Sequence, residues 1–455
     1  MMPEQPARVH VAHGTLPWAK YRSLFYNASG GWDITPSSRY EKGAARPEGT
    51  NLPPSAENRV GPLFVLAMVA ITMMGPLAIH AFIPALPIVQ RNFAIDAATA
   101  QFMLSITLFA MAGATLFYGP LSDRYGRRPV LLVGLGLFLV GTLGCVLADD
   151  VTTLIGGRFV QAGGAACGLV LARAMVRDVY GDDRLVKMMA YLTMAYVVGP
   201  MLAPAIGGAL IDTLGWRSIF QAGLVVGGLI VILTLFVIHE TAPNIGKRSG
   251  GIVVLQGYGR LARMPKFMGY VFHCGFISAS FFSFISAAAF LMSGVLHRPA
   301  AEYGLWFITF PACYMAGNFV ASRLTTRYSI DRMVMVGAAI GFFVSAGFVI
   351  WVMVAPLHIA MLFLPCALAS LGQGLSMPNA QSGAISVDPE LTGTASGVVM
   401  FVQLFLGAVG TQLMGFVADD TALPMALLYC GFLFLALVCA IIPVLPWKSS
   451  SPAKA

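Results

Sequence analysis

Long apolar segments separated by short polar connections make up the chain from residue 60 onward. A helix needs about 20 consecutive apolar residues to cross the hydrocarbon core of a bilayer. The pattern predicts twelve such helices, near 62–83, 100–121, 129–148, 152–175, 187–210, 217–239, 267–292, 302–323, 333–354, 358–380, 392–417 and 422–445. We therefore expect an all-α membrane protein with twelve transmembrane helices.

The longest polar interruption begins near His239 and divides the predicted helices into six and six. We expect a six-helix bundle over 60–240, a cytoplasmic linker over 241–266, a second six-helix bundle over 267–446 and a short cytoplasmic tail over 447–455. Residues 1–59 are rich in Pro, Gly, Ser, Arg and Glu and contain no signal-peptide core, which predicts a disordered cytoplasmic tail. A start codon placed too far upstream would give the same composition.

Two internal alignments support the division into six and six. The segment 113–134 aligns without gaps to 316–337, with Thr326 where the first copy has Asp123. Further along, Gly199, Gly207, Asp212, Thr213 and Gly223 align with Gly407, Gly415, Asp420, Thr421 and Gly431. Paired six-helix halves are typical of transporters that alternate access around a cavity at the membrane midplane.

Composition and charge agree with a membrane protein and exclude several classes. Hydrophobic residues make up 57% of the 455 residues and charged residues 11%, whereas soluble domains carry about a quarter charged residues. The net charge of +8 does not indicate nucleic-acid binding, because the basic residues lie in the connections between apolar segments. We find no phosphate-binding loop, nucleophile elbow or metal-spaced Cys/His set, so we expect no enzyme, no metal and no cofactor.

The Lys and Arg residues predict the orientation. Connections after even-numbered helices hold Arg124, Arg127, Arg128, Arg177, Arg184, Lys187, five linker residues, Arg323, Arg327 and Arg332. Connections after odd-numbered helices hold only Arg91, Arg217 and Arg298. Because positive charge accumulates on the cytoplasmic side, both termini are expected to be cytoplasmic.

The most distinctive polar stretch is Y-G-P-L-S-D-R-Y-G-R-R-P, residues 118–129, between the second and third helices. Its position predicts a tight cytoplasmic turn. Gly126 permits a backbone angle that other residues resist, and Pro129 suits the first turn of a helix. Asp123 is suited to accept from free N–H groups at a helix start or to pair with a guanidinium. A generic basic turn beside the membrane is the simpler interpretation.

The stretch resembles the G-x-L-x-D-R-x-G-R-R signature of the major facilitator superfamily. Its full form is most similar to bacterial drug:proton antiporters of the bicyclomycin/chloramphenicol-resistance (Bcr/CflA) type. The resemblance covers about residues 60–446 and implies the major facilitator fold, two pseudo-symmetric six-helix bundles. It also implies that Asp123, Arg124, Arg127 and Arg128 take part in gating.

Two further motifs carry the resemblance. In the fourth helix, Leu154-x-x-x-Arg158-x-x-Gln161-Ala162-Gly163-Gly164 is similar to the L-x-x-x-R-x-x-Q-G-x-G pattern, which implies a role for Arg158 in proton transfer. An arginine inside a span is costly, so a structural hydrogen-bond hub is the alternative. In the fifth helix, 199–208 is similar to the antiporter signature G-x-x-x-G-P-x-x-G-G. Its expected hinge or seal residues are Gly199, Pro200, Pro204, Gly207 and Gly208, and ordinary Gly/Pro helix packing is the alternative.

One departure concerns the proton carrier. Antiporters of this type commonly have an Asp near the end of the first helix, where this chain has His80, and no acidic residue lies well inside an apolar segment. Imidazole titrates near physiological pH, so His80 is the candidate carrier, and His273 is a weaker one. A neutral, hydrogen-bonded histidine is the alternative. His80 and Arg158 are predicted at similar depth, on one wall of a shared cavity.

Polar and soft side chains at membrane depth are the candidates for a drug-binding cavity: Met73, Gln101, Tyr191, Phe281, Phe284, Asn379, Gln381 and Gln403. Packing or lipid contact is the common alternative for such residues. Taken with these candidates, the resemblance implies a monomeric, multi-pass multidrug efflux transporter of the bacterial inner membrane. It is expected to exchange small amphipathic drugs for protons, driven by the proton-motive force. The alternatives are a proton-independent facilitator or metabolite exporter on the same fold and, less favoured, a non-transporting membrane sensor.

Overall fold

The computed structural model describes residues 61–180, 182–242, 251–325 and 327–445. The tails predicted over 1–59 and 447–455, and Thr326, lie outside this part of the chain. Within it, twelve helices are long and apolar enough to cross a membrane, which confirms the sequence prediction. The expected boundaries of the two bundles stay predictions.

The first six helices are α1 (Pro62–Phe93), α2 (Ala97–Tyr125), α3 (Arg127–Val146), α4 (Val151–Val179), α5 (Asp182–Leu214) and α6 (Arg217–Val237). A short linker helix, Gly251–Ala262, precedes the second set. That set comprises α7 (Pro265–Val295), α8 (Ala300–Leu324), α9 (Ile330–Val354), α10 (Ile359–Ser386), α11 (Pro389–Val417) and α12 (Leu423–Val444).

The polar stretch between α2 and α3 is more helical than the predicted turn. Helix α2 continues through Pro120 to Tyr125, and α3 begins at Arg127. Only Gly126 separates them, at φ +99°, a conformation that L side chains rarely adopt. The predicted turn is thus a break of a single residue, with Pro129 in the first turn of α3.

The two sets of helices pack in the same way. In the first half α3 packs on α4, α2 on α4 and α1 on α5, and the equivalent pairs in the second half are α9 with α10, α8 with α10 and α7 with α11. The halves meet through α2 with α11 and α5 with α8, which are also equivalent pairs. This repeated packing is the pseudo-symmetric arrangement of the major facilitator fold.

The seams between the halves are well packed at the end that carries the odd-numbered connections. We call this end, which the charge distribution predicts to be periplasmic, the outer end, and the opposite one the inner end. Ser105 of α2 donates to Gln412 of α11 (2.7 Å), and Phe109 stacks edge-on against Phe405 (5.4 Å). Gln412 also donates to the carbonyl of Ala98, in the first turn of α2 (3.4 Å).

Candidate functional site

The candidate site is built around a break in α1. The first helical segment of α1 ends at His80, a 3-10 turn follows at Ile83–Ala85, and a second segment runs over Leu86–Phe93. Pro84 and Pro87 explain the break, because each removes a backbone donor that a continuous helix needs. Residues just before this break contact α4, α5, α7 and α8.

His80 lies in an aromatic box supplied by the second half. Its ring stacks on Phe282 (centroids 5.9 Å apart) and lies 5.8 Å from Phe281 of α7 and 6.2 Å from Phe307 of α8. The side chain is 5% exposed, and its Nδ1 has no hydrogen-bond partner among the described residues. A titratable group from one half is therefore enclosed by apolar rings of the other.

Arg158 is fully buried in the first half. Its Nη1 donates to the carbonyl of Ala78 in α1 (2.9 Å) and to Oε1 of Gln161 (2.8 Å), whose amide in turn donates to Thr142 (2.9 Å). The guanidinium lies 4.6 Å from the ring of Phe82, a cation–π contact. Its Nε and Nη2 are unpartnered within the described ranges, and no carboxylate there pairs with it.

His80 and Arg158 meet through α1 and do not face one another. Arg158 binds at Ala78 and Phe82, which lie on one face of α1, four residues apart. His80 is two residues from Ala78, roughly 200° around a helix, and points at α7 and α8. The two side chains therefore do not share one wall in this conformation, contrary to the sequence expectation.

The glycines of the α5 motif lie at close helix contacts. A Cβ at Gly207 would overlap the carbonyl of Ala81, directly after His80, and one at Gly208 would overlap the backbone of Ala300 in α8. From the other side, a Cβ at Gly304 of α8 would overlap the backbone of Pro204 and Ala205. Gly199 lies against Pro76 and Met73 of α1. The motif is thus the contact surface between α5, α1 and the opposite half.

The inner end carries an ion-pair network centred on Arg127. Its Nη1 pairs with Asp123 (2.6 Å) and its Nε with Asp178 of α4 (2.9 Å). The carboxylate of Glu240, just after α6, accepts from the backbone N–H groups of Arg127 (2.8 Å) and Arg128 (3.2 Å) at the start of α3. Asp123 thus pairs with a guanidinium, one of its two expected roles, and Glu240 takes the helix-start role.

The remaining arginines of this motif are less enclosed. Arg124 is exposed and lies over the ring of Tyr125 (5.1 Å), and Nη2 of Arg128 donates to the carbonyl of Leu235 in α6 (2.9 Å). Ion pairs of the second half lie at the same end, Lys266 with Asp331 (3.0 Å) and Arg260 with Glu390 (2.9 Å). Each of these inner-end ion pairs joins two groups of the same half, when the linker helix is counted with the second half.

The predicted drug-binding residues are spread over several places. Phe281 belongs to the His80 box, and Met73 lies against Gly199. Gln101 is buried at the outer end beside Gly415 of α11. Tyr191, Gln381 and Gln403 are half-buried in α5, α10 and α11.

Two of the predicted drug-binding residues are engaged in packing. Phe284 is fully buried and stacks with Phe310, Phe363 and Tyr429. Asn379 donates to the carbonyl of Leu375 in its own helix (2.8 Å). Their assignment to a cavity stays a prediction.

One surface groove of the described residues is not part of the seam. It has a volume of about 610 Å³ and lies on the outside of α2, α3 and α4, where exposed Phe117, Val133 and Phe159 line it with apolar atoms. An apolar external groove on membrane-spanning helices is a lipid-facing surface. We therefore do not assign it to the translocation pathway.

Sequence reasoning missed four charged residues that the structure places in these contacts. Asp178 and Glu240 complete the Arg127 network, and Arg173 of α4 lies 6.0 Å from the ring of Tyr196 in α5. Asp212 of α5 accepts from two backbone N–H groups of α8. The available signal was weak: Arg173 and Asp178 lie in the last two turns of α4, and Asp212 lies in the internal repeat.

Comparison with known proteins agrees with this geometry. The sequence model of the Major Facilitator Superfamily matches residues 63–411. The chain is 30% identical over 338 residues to multidrug resistance protein D of Escherichia coli (strain K12), covering 74% of this chain and 84% of that protein. It is 26% identical over 394 residues to the bicyclomycin resistance protein homolog of Haemophilus influenzae, covering 85% and 95%.

Solved structures show the same fold at low identity. A peptide transporter POT in complex with sulfate matches with a TM-score of 0.67 and 14% identity, covering 85% of this chain and 95% of that one. A bacterial homolog of the human lysosomal transporter Spinster matches with a TM-score of 0.63 and 15% identity, covering 85% and 95%. These likenesses concern the fold.

The twelve helices, their repeated packing and the family match define a multi-pass bacterial inner-membrane transporter, and the chain belongs to the major facilitator superfamily. Within that superfamily, its relatives and its motifs place it with the Bcr/CflA type.

Proposed function

We propose that this chain exports small amphipathic drugs across the inner membrane in exchange for protons, by alternating access between its two six-helix halves. The observation that carries the proposal is the outer-end seam. There the α5 glycine motif packs on α8 of the opposite half, and His80 of α1 is enclosed by Phe281, Phe282 and Phe307. Alternating access requires that the two halves close against each other at one end while the other end is open.

Proton exchange is assigned to His80. The imidazole lies at the junction of the halves, so separation of the halves would bring water to a ring that is now enclosed. A hydrated imidazole titrates near neutral pH, which suits a group that takes up a proton on one side and releases it on the other. Because Arg158 donates to the carbonyl of Ala78 in α1, movement of the α1 segment that carries His80 would also change this hydrogen bond. The energy source is the proton-motive force, and the proposal includes no cofactor and no catalysis.

The proposed substrates are lipophilic and neutral or zwitterionic. The seam and its surroundings are rich in aromatic rings, and Phe281 also contacts Phe310 (5.0 Å). Such surfaces favour apolar molecules with a few polar groups. The relatives named for bicyclomycin and multidrug resistance support drug export in particular. From the distribution of Lys and Arg, we place both termini in the cytoplasm. The proposed transporter is a monomer.

The proposal is tested by expression in a bacterium that lacks its own drug pumps. Resistance to part of a drug panel, lost when a proton uncoupler is added, is the expected result. A matched control is the Arg158→Gln variant at equal membrane abundance, which we expect to give no resistance. A chain that transports a metabolite or works as a facilitator would instead confer no resistance, and its transport would not respond to the uncoupler.

A further inference from the structure

Helix α8 lacks a capping side chain of its own at the outer end. Its N-cap residue is Pro299, which makes no side-chain cap hydrogen bond. The first backbone N–H groups of any helix have no partner within the helix and need an acceptor from elsewhere. In α8 that acceptor comes from the other half of the protein.

Asp212, near the end of α5, supplies the acceptor. Its Oδ1 accepts from the N–H of Ala300 (3.3 Å), and its Oδ2 accepts from the N–H of Ala301 (2.8 Å). A carboxylate at a helix N-terminus also interacts favourably with the helix dipole. Asp212 therefore caps α8 across the seam between the halves, and this cap exists only while the seam is closed.

The capped turn is connected to the His80 box. The contacts of Gly208 with Ala300 and of Gly304 with Ala205 hold the first turns of α8 against α5. One and two turns further along α8 lie Tyr303, which stacks on Phe307 (6.1 Å), and Phe307, which contacts His80. A residue that fixes the start of α8 thus positions Phe307, one of the rings that enclose the imidazole, and Tyr303, which stacks on Phe307.

The repeat shows that this role is specific to the first half. Asp420 occupies the aligned position after α11 and is exposed, while α2, the helix equivalent to α8, is capped by its own Asp96 through the N–H of Thr99 (3.2 Å). The α2–α11 seam is held instead by Ser105 and Gln412. The same aligned residue therefore bridges the halves in one copy only.

We propose that Asp212 is a positioning residue for transport, a latch that holds the first turns of α8 on α5 and keeps the outer end closed around His80. The inference rests on the proposed alternating access. Loss of the latch frees the start of α8 and loosens Tyr303 and Phe307, so the outer end opens more often. Charged groups beside this contact are Arg91 of α1 and Arg298 before α8, which line a small outer-end pocket of about 130 Å³ with Asp212. Glu302, in the first turn of α8, pairs with Arg298 (3.9 Å).

The test is hydrogen–deuterium exchange of the full-length protein at residue resolution, without drug or proton gradient. In the native protein the amides of Ala300 and Ala301 should be protected, unlike those of an uncapped helix start. We expect Asp212→Ala to raise their exchange at least tenfold and to raise exchange over 303–307 as well. Asp212→Asn keeps one acceptor oxygen and should give an intermediate result.

The matched control is Asp420→Ala, which removes the aligned carboxylate and should leave 300–307 unchanged. Unchanged protection of α3 and α4 establishes that each variant is folded. Equal exchange in the native protein and Asp212→Ala would overturn the inference, as would an equal effect of Asp420→Ala. A rise in exchange confined to the amides of Ala300 and Ala301 would also overturn it, because Asp212 would then act only as a local helix cap. Because no proton is measured, these results are independent of whether transport is proton-coupled.

Discussion

At the scale of single residues, Arg158 is held without a counter-ion among the described residues. Carbonyl, amide and aromatic groups surround it, so the guanidinium is partly satisfied while its charge stays uncompensated. Burying a charge in this way is costly, and a charged residue inside a membrane span usually has a function. The purpose we propose is to tie α4 to the α1 segment that carries His80.

Arg158→Lys separates this function from a structural role. Lysine keeps the charge but lacks the planar fork that bonds Ala78 and Gln161 and stacks on Phe82. We expect a loss of about 1–2 kcal/mol in stability, the cost of unmade buried hydrogen bonds, and a loss of export greater than tenfold per folded protein. Melting in detergent and drug efflux at matched abundance are the measurements. Full efflux in a Lys variant of lowered melting temperature would leave Arg158 as a structural hub only.

Glu240 gives a prediction for the dependence of stability on pH. Burial acts to raise the pKa of Glu240, but backbone N–H groups of Ala242, Arg127, Arg128 and Thr241 outweigh it and hold the pKa below its ordinary value. A lowered pKa in the folded state stabilises the protein above the unfolded pKa, near 4.3, and this contribution is lost as the pH falls through the folded pKa.

Glu240→Gln should therefore lower the melting temperature at pH 7, by the equivalent of about 0.5–1 kcal/mol for a charge at a helix start. The difference from the native protein should shrink as the pH is lowered below about 4.3. Melting curves in detergent between pH 7 and about pH 2 measure it, because the contribution is lost only as the pH falls through the lowered pKa of the folded state. A difference that stays constant over this range would mean that the charge of Glu240 contributes nothing.

At the scale of elements, α5 is the helix on which closure of the outer end depends. It packs on α1 within its own half and on α8 of the other half, and it does so through backbone-to-backbone contacts at Gly207 and Gly208. Such small-residue surfaces let helices approach closely in membranes. A close contact of this kind is also a barrier to water and ions.

Gly208→Ala should make the protein leak protons. The added methyl group would overlap the backbone of Ala300, so α5 and α8 must separate to accept it. We expect faster decay of an imposed pH gradient in drug-free proteoliposomes than with the native protein. The control is Gly228→Ala in α6, where the same added methyl group would meet no atoms within 4 Å. Equal decay for both variants would show that this contact does not seal the pathway.

The features that could be predicted from the sequence are those set by residues close to one another along the chain. The helices and the break at Gly126 come from apolar runs and from residues with known backbone preferences, and the structure agrees with them. The Arg127 network could not be predicted in full, because Asp178 and Glu240 lie 51 and 113 residues from Arg127. The direction in which the His80 side chain points, towards α7 and α8 of the other half, likewise could not be predicted, because it depends on how the two halves dock.

At the scale of the whole molecule, the two halves join through seams of different construction. The α5–α8 seam combines glycine contacts with the Asp212 cap. The α2–α11 seam instead uses the Ser105–Gln412 hydrogen bond and the edge-on contact of Phe109 with Phe405. At the inner end the ion pairs of Arg127 and Lys266 hold each half together internally. Rigid halves with breakable outer seams are suited to move as two bodies.

The most direct test of the account is drug transport by purified protein in proteoliposomes under imposed pH gradients of increasing size. We expect uphill drug flux that grows with the gradient and disappears with an uncoupler. His80→Gln should keep downhill flux and lose the dependence on the gradient. Drug flux of equal size with and without a gradient would contradict proton exchange, and an unaltered gradient dependence in His80→Gln would remove His80 as the carrier.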